Sequence, residues 1–188
     1  MDGLATLTTA VADVVDVGGS IDVVTQRLAG ALHDAITGPG LAELFAGKAK
    51  SFTAYVDPQR HFIVHCSVHR PGHLTEAHDH GETWAVYGVA RGVSRYRRYT
   101  RRPDSAAGTA ALECIRDEEL APGQVDVVAP GEVHLIGNDT DDVALNVVIR
   151  PRPIEQVWRR RFNLPTGTYV IHPASLRSPA GPDIAQRK

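Results

Sequence analysis

The chain has 188 residues, of which 20 are basic and 22 acidic, giving a formal net charge of −2. This length predicts a single domain, and the near-neutral charge gives no overall signal for binding nucleic acid or an anionic membrane. Two cysteines, Cys66 and Cys114, are too few for a disulfide framework. The sequence shows no signal-peptide pattern and no apolar stretch of about 18 residues that could span a bilayer. These features predict a cytoplasmic protein that does not associate with membranes.

The first 50 residues have the apolar spacing of α-helices. Ser20 is a candidate N-cap and Gly38 a candidate end for one helix. A second short helix is predicted from Leu41 to Ala46. The apolar stripe of the longer helix consists of Val23, Val24, Leu28, Leu32 and Ile36.

The chain from Phe52 to Val170 reads as short strands separated by turn residues, which is typical of a β-barrel or sandwich. We therefore predict N-terminal helices over residues 1–50 that pack on a barrel over residues 51–173. The remaining segment, 174–188, contains prolines and scattered charges without periodicity. It is predicted to be a poorly ordered tail.

One strand, "RHFIVHCSVH" at residues 60–69, alternates clearly between two kinds of side chain. Phe62, Val64, Cys66 and Val68 share one face, and the opposite face carries His61, Ile63, His65, Ser67 and His69. The polar face either lies in solvent at the surface of a half-exposed strand or lines a polar cavity inside a barrel.

Histidines at two places have the spacing of metal ligands. His78 and His80, in "HDH", are two apart, so on a strand both imidazoles point to the same side. A later strand–turn–strand segment, "GQVDVVAPGEVHLIGN" at residues 123–138, supplies His134 as a third candidate ligand.

Together the two segments resemble the signature motifs of the cupin superfamily, a double-stranded β-helix that holds a metal inside a small barrel. The first motif is carried by Gly72, His78, His80 and Gly92. The second is carried by Gly123, Gly131, His134 and Asn138, with Pro130 one place later than usual. The resemblance implies a mainly β jelly-roll barrel preceded by α-helices.

The chain departs from the usual first motif at its carboxylate ligand. The positions that normally hold a glutamate are Trp84 and Ala85. Glu82 shares strand parity with the two histidines and is a possible substitute ligand.

A three-histidine site with "HDH" narrows the resemblance to the cysteine dioxygenase and thiol dioxygenase group, over roughly residues 5 to 150. That group uses ferrous iron and O2 to oxidise a small thiol to a sulfinate. The resemblance implies that His78, His80 and His134 bind Fe(II), although imidazole also suits nickel, manganese and zinc. It also places Ser67 and His69 in the pocket lining.

Other features of that group are missing. Ala85 stands where some members have a cysteine that crosslinks to a tyrosine. Asp57 aligns near the arginine that binds the substrate carboxylate, and the serine–histidine–tyrosine triad falls against Asn146, Val148 and Arg150. We therefore expect a substrate other than free cysteine.

The predicted substrate site is built around an arginine. Arg150 is the first candidate to bind a substrate carboxylate and, with His69, is assigned a catalytic role. Further substrate-binding candidates are His65, Ser67, Arg70, Trp84 and Asn146.

Two other classes of function remain open at this point. The basic runs "RYRRYTRRP" and "WRRRF" contain aromatic residues and would suit a ligand-sensing or nucleic-acid-binding cupin. A metal cupin with isomerase or lyase activity is the other alternative. The expected partners are a small-molecule substrate and O2, without nucleic acid, and the oligomeric state is open.

Overall fold

The computed structural model describes residues 2–102 and 108–174. The predicted tail lies outside these residues from position 175 onward. Within the described part of the chain, no helix is long and apolar enough to cross a membrane.

Two helices begin the chain, as predicted. Helix α1 spans Gly3–Val17 and helix α2 spans Ile21–Thr37. The Ser20 hydroxyl accepts the Val23 backbone N–H at 3.4 Å, and Gly38 follows the last turn. A short 3-10 helix, Ala42–Phe45, lies where the second short helix is predicted.

The rest of the described chain forms short strands in two antiparallel sheets. In chain order they are β1 Phe52–Val56, β2 Ile63–His69, β3 Ala77–His78, β4 Ala85–Arg91, β5 Ser94–Arg101, β6 Leu112–Leu120, β7 Val125–Val128, β8 Val133–Gly137, β9 Ala144–Arg150, β10 Arg159–Asn163 and β11 Thr168–His172.

The strand order is that of a jelly roll. One sheet has the order β1-β2-β9-β4-β7 and the other β11-β10-β3-β8-β5-β6. Strands β2 to β9 are divided between two four-stranded sheets and change sheet at each step except between β5 and β6, while β1 and the β10–β11 pair extend the edges. The predicted fold class, a mainly β cupin-like double-stranded β-helix after N-terminal helices, is confirmed.

Helix α2 covers the outer face of the first sheet. Leu28 and Leu32 are fully buried against Phe62, Val64 and Cys66 of the alternating segment. The approach is close because Gly88 of β4 has no side chain: a Cβ there would lie 2.9 Å from Cγ of Leu32. The apolar face of the alternating strand is therefore the helix-facing side.

The histidine face of β2 must then point into the barrel. His65 pairs with Val148 of β9, which packs in the internal apolar cluster with Tyr87 and Ile136. Ser67 and His69 are buried. Of the two alternatives for this strand, the structure supports the cavity lining, since the opposite face is occupied by the helices.

Candidate metal centre

Three histidines meet inside the barrel. The nitrogen atoms that His78, His80 and His134 offer as ligands all lie within 4.8 Å of one another. His78 and His134 are direct partners in the β3–β8 ladder, so strand pairing itself sets two of the three side chains side by side. We refer to these three residues as the metal centre.

The turn after His80 is locked to β10 by the side chain of Asp79. This fully buried carboxylate accepts the backbone N–H of Gly81 at 3.1 Å and that of Arg160 at 2.8 Å. It also pairs with the Arg160 guanidinium at 2.9 Å. Gly81 has φ +56°, and a Cβ there would lie 2.3 Å from the Trp158 carbonyl oxygen. The segment from Asp79 to Gly81, which contains His80, is thus fixed by charge-assisted bonds and by a glycine.

Burial keeps the three imidazoles neutral, which is the form that binds a metal. It lowers the pKa of His78 to about 4 and the pKa values of His80 and His134 well below their usual value. The Nε2 atoms of His80 and His134 are 3.0 Å apart. Two ligands about 2.1 Å from one ion at a right angle stand about 3.0 Å apart, so this donor set fits a divalent metal.

The outer nitrogens of the three rings have different surroundings. Nδ1 of His78 donates to the Glu76 carbonyl oxygen at 2.8 Å, which leaves Nε2 facing the centre. Within residues 2–102 and 108–174, the buried Nδ1 atoms of His80 and His134 have no hydrogen-bond partner. Only the orientation of His78 is therefore fixed by a hydrogen bond of this kind.

Tyr87 contributes a hydroxyl to the centre that the sequence motifs do not reveal. Its Oη lies 3.1 Å from Nε2 of His80, and the ring is almost fully buried. Burial raises the pKa of the phenol, so the group keeps its proton at neutral pH. The guanidinium carbon of Arg150 lies 6.0 Å from the ring centroid. Tyr87 therefore stands between the metal ligands and the predicted substrate arginine.

The structure does not bring Glu82 to the metal centre. Among the described residues, no carboxylate joins the three histidines in a cluster that could hold a metal ion. Glu82 is exposed in the turn that includes Gly81 and comes before β4 begins. The strand alternation of His78 and His80 therefore does not continue to Glu82. The possible assignment of Glu82 as a ligand is corrected accordingly.

Arg150 lies at the mouth of the barrel beside the centre. It lines a pocket of about 390 Å³ together with His73, Glu76, His78, Arg159 and Arg161. Its Nε is buried without a hydrogen-bond partner among the described residues. The structure thus places Arg150 in one pocket with a metal-ligand candidate, as its predicted role requires.

Three other predicted substrate residues face the barrel interior. His65, Ser67 and Asn146 lie on the same side of the first sheet, since Ser67 pairs with Asn146. The Asn146 amide is already bonded to the Ser94 hydroxyl at 2.9 Å. His69 is buried, both its ring nitrogens lack partners among the described residues, and its ring lies 5.9 Å from that of His73.

Two predicted substrate residues lie away from the centre. Trp84 packs with the helix-facing core, because its strand parity is opposite to that of Tyr87. Arg70 is exposed and donates to the Ala49 carbonyl oxygen at 3.4 Å. Asp57, which replaces the arginine of the resembled group, holds the β1–β2 turn by accepting the N–H groups of Gln59 and Arg60 at 2.9 and 2.5 Å.

The basic runs are largely occupied by internal ion pairs. Arg95 and Arg97 pair with Asp117, and Arg98 pairs with Asp126 at 2.7 Å. In the second run, Arg160 is held by Asp79. These arginines therefore have structural partners within the chain.

The chain is similar to several solved structures at low sequence identity. The sequence matches no protein-family model and no curated protein sequence. Among solved structures, the TT1209 protein of Thermus thermophilus is 21% identical, with 56% of this chain and 88% of that chain covered and a TM-score of 0.42. A Cupin_2 domain of an XRE family transcriptional regulator from Enterobacter cloacae is 16% identical over 55% and 95%, with a TM-score of 0.41. An oxalate oxidase is 17% identical over 56% and 52%, also at 0.41.

Proposed function

We propose that this protein is a mononuclear iron dioxygenase of the thiol dioxygenase type, which oxidises a small thiol or a related carboxylate with O2. The observation that carries the proposal is a buried centre of three neutral imidazoles without a carboxylate ligand among the described residues. Such a donor set would hold a ferrous ion, which would supply a site for the thiol and O2.

The balanced reaction is R–SH + O2 → R–SO2H, in which the sulfur is oxidised and both oxygen atoms enter the product. A bound ferrous ion supplies the site at which thiolate and O2 come together. The chain's own residues orient the substrate and protect the reaction from water.

Arg150 binds the substrate carboxylate through paired hydrogen bonds, which directs the sulfur toward the three histidines. Tyr87 keeps its phenolic proton and donates a hydrogen bond to the reacting group next to His80. Val148, Tyr96 and Ile136 form an apolar wall inside the barrel that excludes water. His65 and His69 provide neutral hydrogen-bonding groups on the facing strand.

The test is oxygen consumption by the ferrous protein with cysteine, 3-mercaptopropionate, cysteamine and larger carboxylate thiols. We expect uptake with a carboxylate thiol and formation of its sulfinate in equal amount. Cysteine as the best substrate would contradict the specificity prediction. If none of these thiols supports oxygen uptake, isomerase, lyase or ligand-sensing roles are favoured for the same metal centre.

A further inference from the structure

The mouth of the metal pocket is surrounded by three arginines, Arg150, Arg159 and Arg161, which we call the arginine rim. All three line the same pocket as His78. They come from two sheets: Arg150 ends β9, whereas Arg159 and Arg161 belong to β10. The rim therefore presents positive charge from two sides of one opening.

The rim has little negative charge to balance it. Arg161 pairs with Glu76 at 3.3 Å, and both side chains are largely exposed. Neither Arg150 nor Arg159 forms an ion pair with any carboxylate of residues 2–102 and 108–174. The hydrogen bond of Arg159 goes to a neutral acceptor, the Ile154 carbonyl oxygen, at 2.8 Å.

Burial and the neighbouring arginines disfavour the charge of Arg159. The pKa of Arg159 is lowered first by burial, then by Arg161, and further by Arg150, with partial relief from Glu155. Two incompletely solvated cations held at one opening are stabilised when anionic groups bind between them. The pocket, the strand positions and the missing ion pairs thus point to the same kind of ligand.

We infer that the substrate carries two carboxylates, one bound by Arg150 and the other by Arg159. This inference rests on the proposed function, because it identifies the substrate class of the same centre. Arg150 and Arg159 come from opposite sheets, and this arrangement suits two separate planar anions better than one compact one.

The experiment is calorimetric titration of the protein as purified, under anaerobic conditions, with succinate and with monomethyl succinate. At about pH 7.5 both carboxylates of succinate are ionised, whereas the ester has one charge at a similar size. We expect succinate to bind about tenfold or more tightly than the ester. Arg159→Gln should remove this difference by weakening succinate alone, and Arg150→Gln should weaken both ligands.

Arg27→Gln, at an exposed position of helix α2 outside this pocket, is the control and should change the succinate affinity by less than about threefold. Equal binding of the two ligands, or failure of both to bind wild-type protein, would overturn the inference. The inference would also be overturned if folded Arg159→Gln kept the wild-type ratio of succinate to ester affinity. The same holds if inorganic phosphate competes for the site as strongly as succinate. If the ratio is as expected but no thiol supports oxygen uptake, the dicarboxylate site stands and the proposed reaction is wrong.

Discussion

The arginine rim lines one pocket with His78 of the metal centre, but the rim and the centre are built in opposite ways. The centre consists of neutral imidazoles, two of which are paired across β3 and β8 in the interior of the jelly roll. The rim consists of cations at the opening, and two of its three members come from β10, an addition outside the eight jelly-roll strands.

This difference separates what the fold supplies from what this particular chain adds. Two of the three histidines, His78 and His134, are placed by the β3–β8 ladder in the middle of their sheet. The rim depends on where the C-terminal strands dock, and one buried ion pair, Asp79–Arg160, joins that docking to the loop between His78 and His80. On our two proposals, the reaction type and the choice of substrate are therefore encoded by different segments.

The largest effect is expected from removing a ligand of the centre. His134→Ala should lower the affinity for ferrous iron by more than about 100-fold, since even changes around ligands cost about 10–100-fold. Metal analysis after anaerobic loading and dialysis measures this loss. His61→Asn, an exposed residue with φ +63°, is the control and should keep full metal content, because asparagine tolerates that backbone. Full metal content in His134→Ala would show that the centre lies elsewhere.

The connection between centre and rim can be broken at Asp79. Asp79→Ala leaves two backbone N–H groups and the Arg160 guanidinium without their acceptor, which should lower the free energy of unfolding by about 3 kcal/mol. Urea unfolding measures the change. Glu76→Ala is the control. It removes the exposed ion pair between Glu76 and Arg161 and should lower the free energy of unfolding by at most about 0.5 kcal/mol. Equal losses in the two variants would mean that Asp79 does not hold β10 to the metal loop.

Replacing Tyr87 tests whether this residue, which lies between the metal centre and Arg150, takes part in the reaction. Tyr87→Phe should lower kcat about tenfold while metal content stays unchanged, because one hydrogen bond to the reacting group is lost. Tyr96→Phe is the control, since the Tyr96 hydroxyl is buried without a partner among the described residues. A fall in kcat that is equal in both variants would indicate altered packing rather than a specific contact.

Stability should also depend on pH through the histidine face of β2. Burial lowers the pKa of His65 and His69 to about 4, so only the unfolded chain takes up protons between pH 6.5 and 4. Stability is therefore complete above pH 6.5 and decreases as the pH falls, by up to about 1.4 kcal/mol per pH unit for each histidine. Urea unfolding of metal-free protein should show a shallower slope in His69→Gln. An identical slope would mean that His69 is not buried as a neutral group.

Much of the fold and the ligand set could be predicted because the signals are local. The Ser20 cap, the Gly38 end and the two spaced histidine motifs each lie within a few neighbouring residues. The alternation in β2 predicted two distinct faces, and the resemblance placed Ser67 and His69 in the pocket lining.

The residues that sequence reasoning missed depend on partners that are distant in the chain. Tyr87 lies in an apolar strand. It shares a strand face with Ala85 and lies on the face opposite to Trp84, and only this alternation could have indicated that it points inward. The same parity argument would have moved Trp84 out of the predicted pocket. Arg159 and Arg160 are neighbours in one basic run, and their separate roles follow from pairing of β10 with β3.

The most direct test of the central claim is an anomalous diffraction measurement at the iron edge on a crystal of the ferrous protein. We predict one strong peak per chain, bounded by the Nε2 atoms of His78, His80 and His134, with Tyr87 beside it and no protein carboxylate as a ligand. A peak at another position, or one that includes the carboxylate of Glu82, would contradict the account.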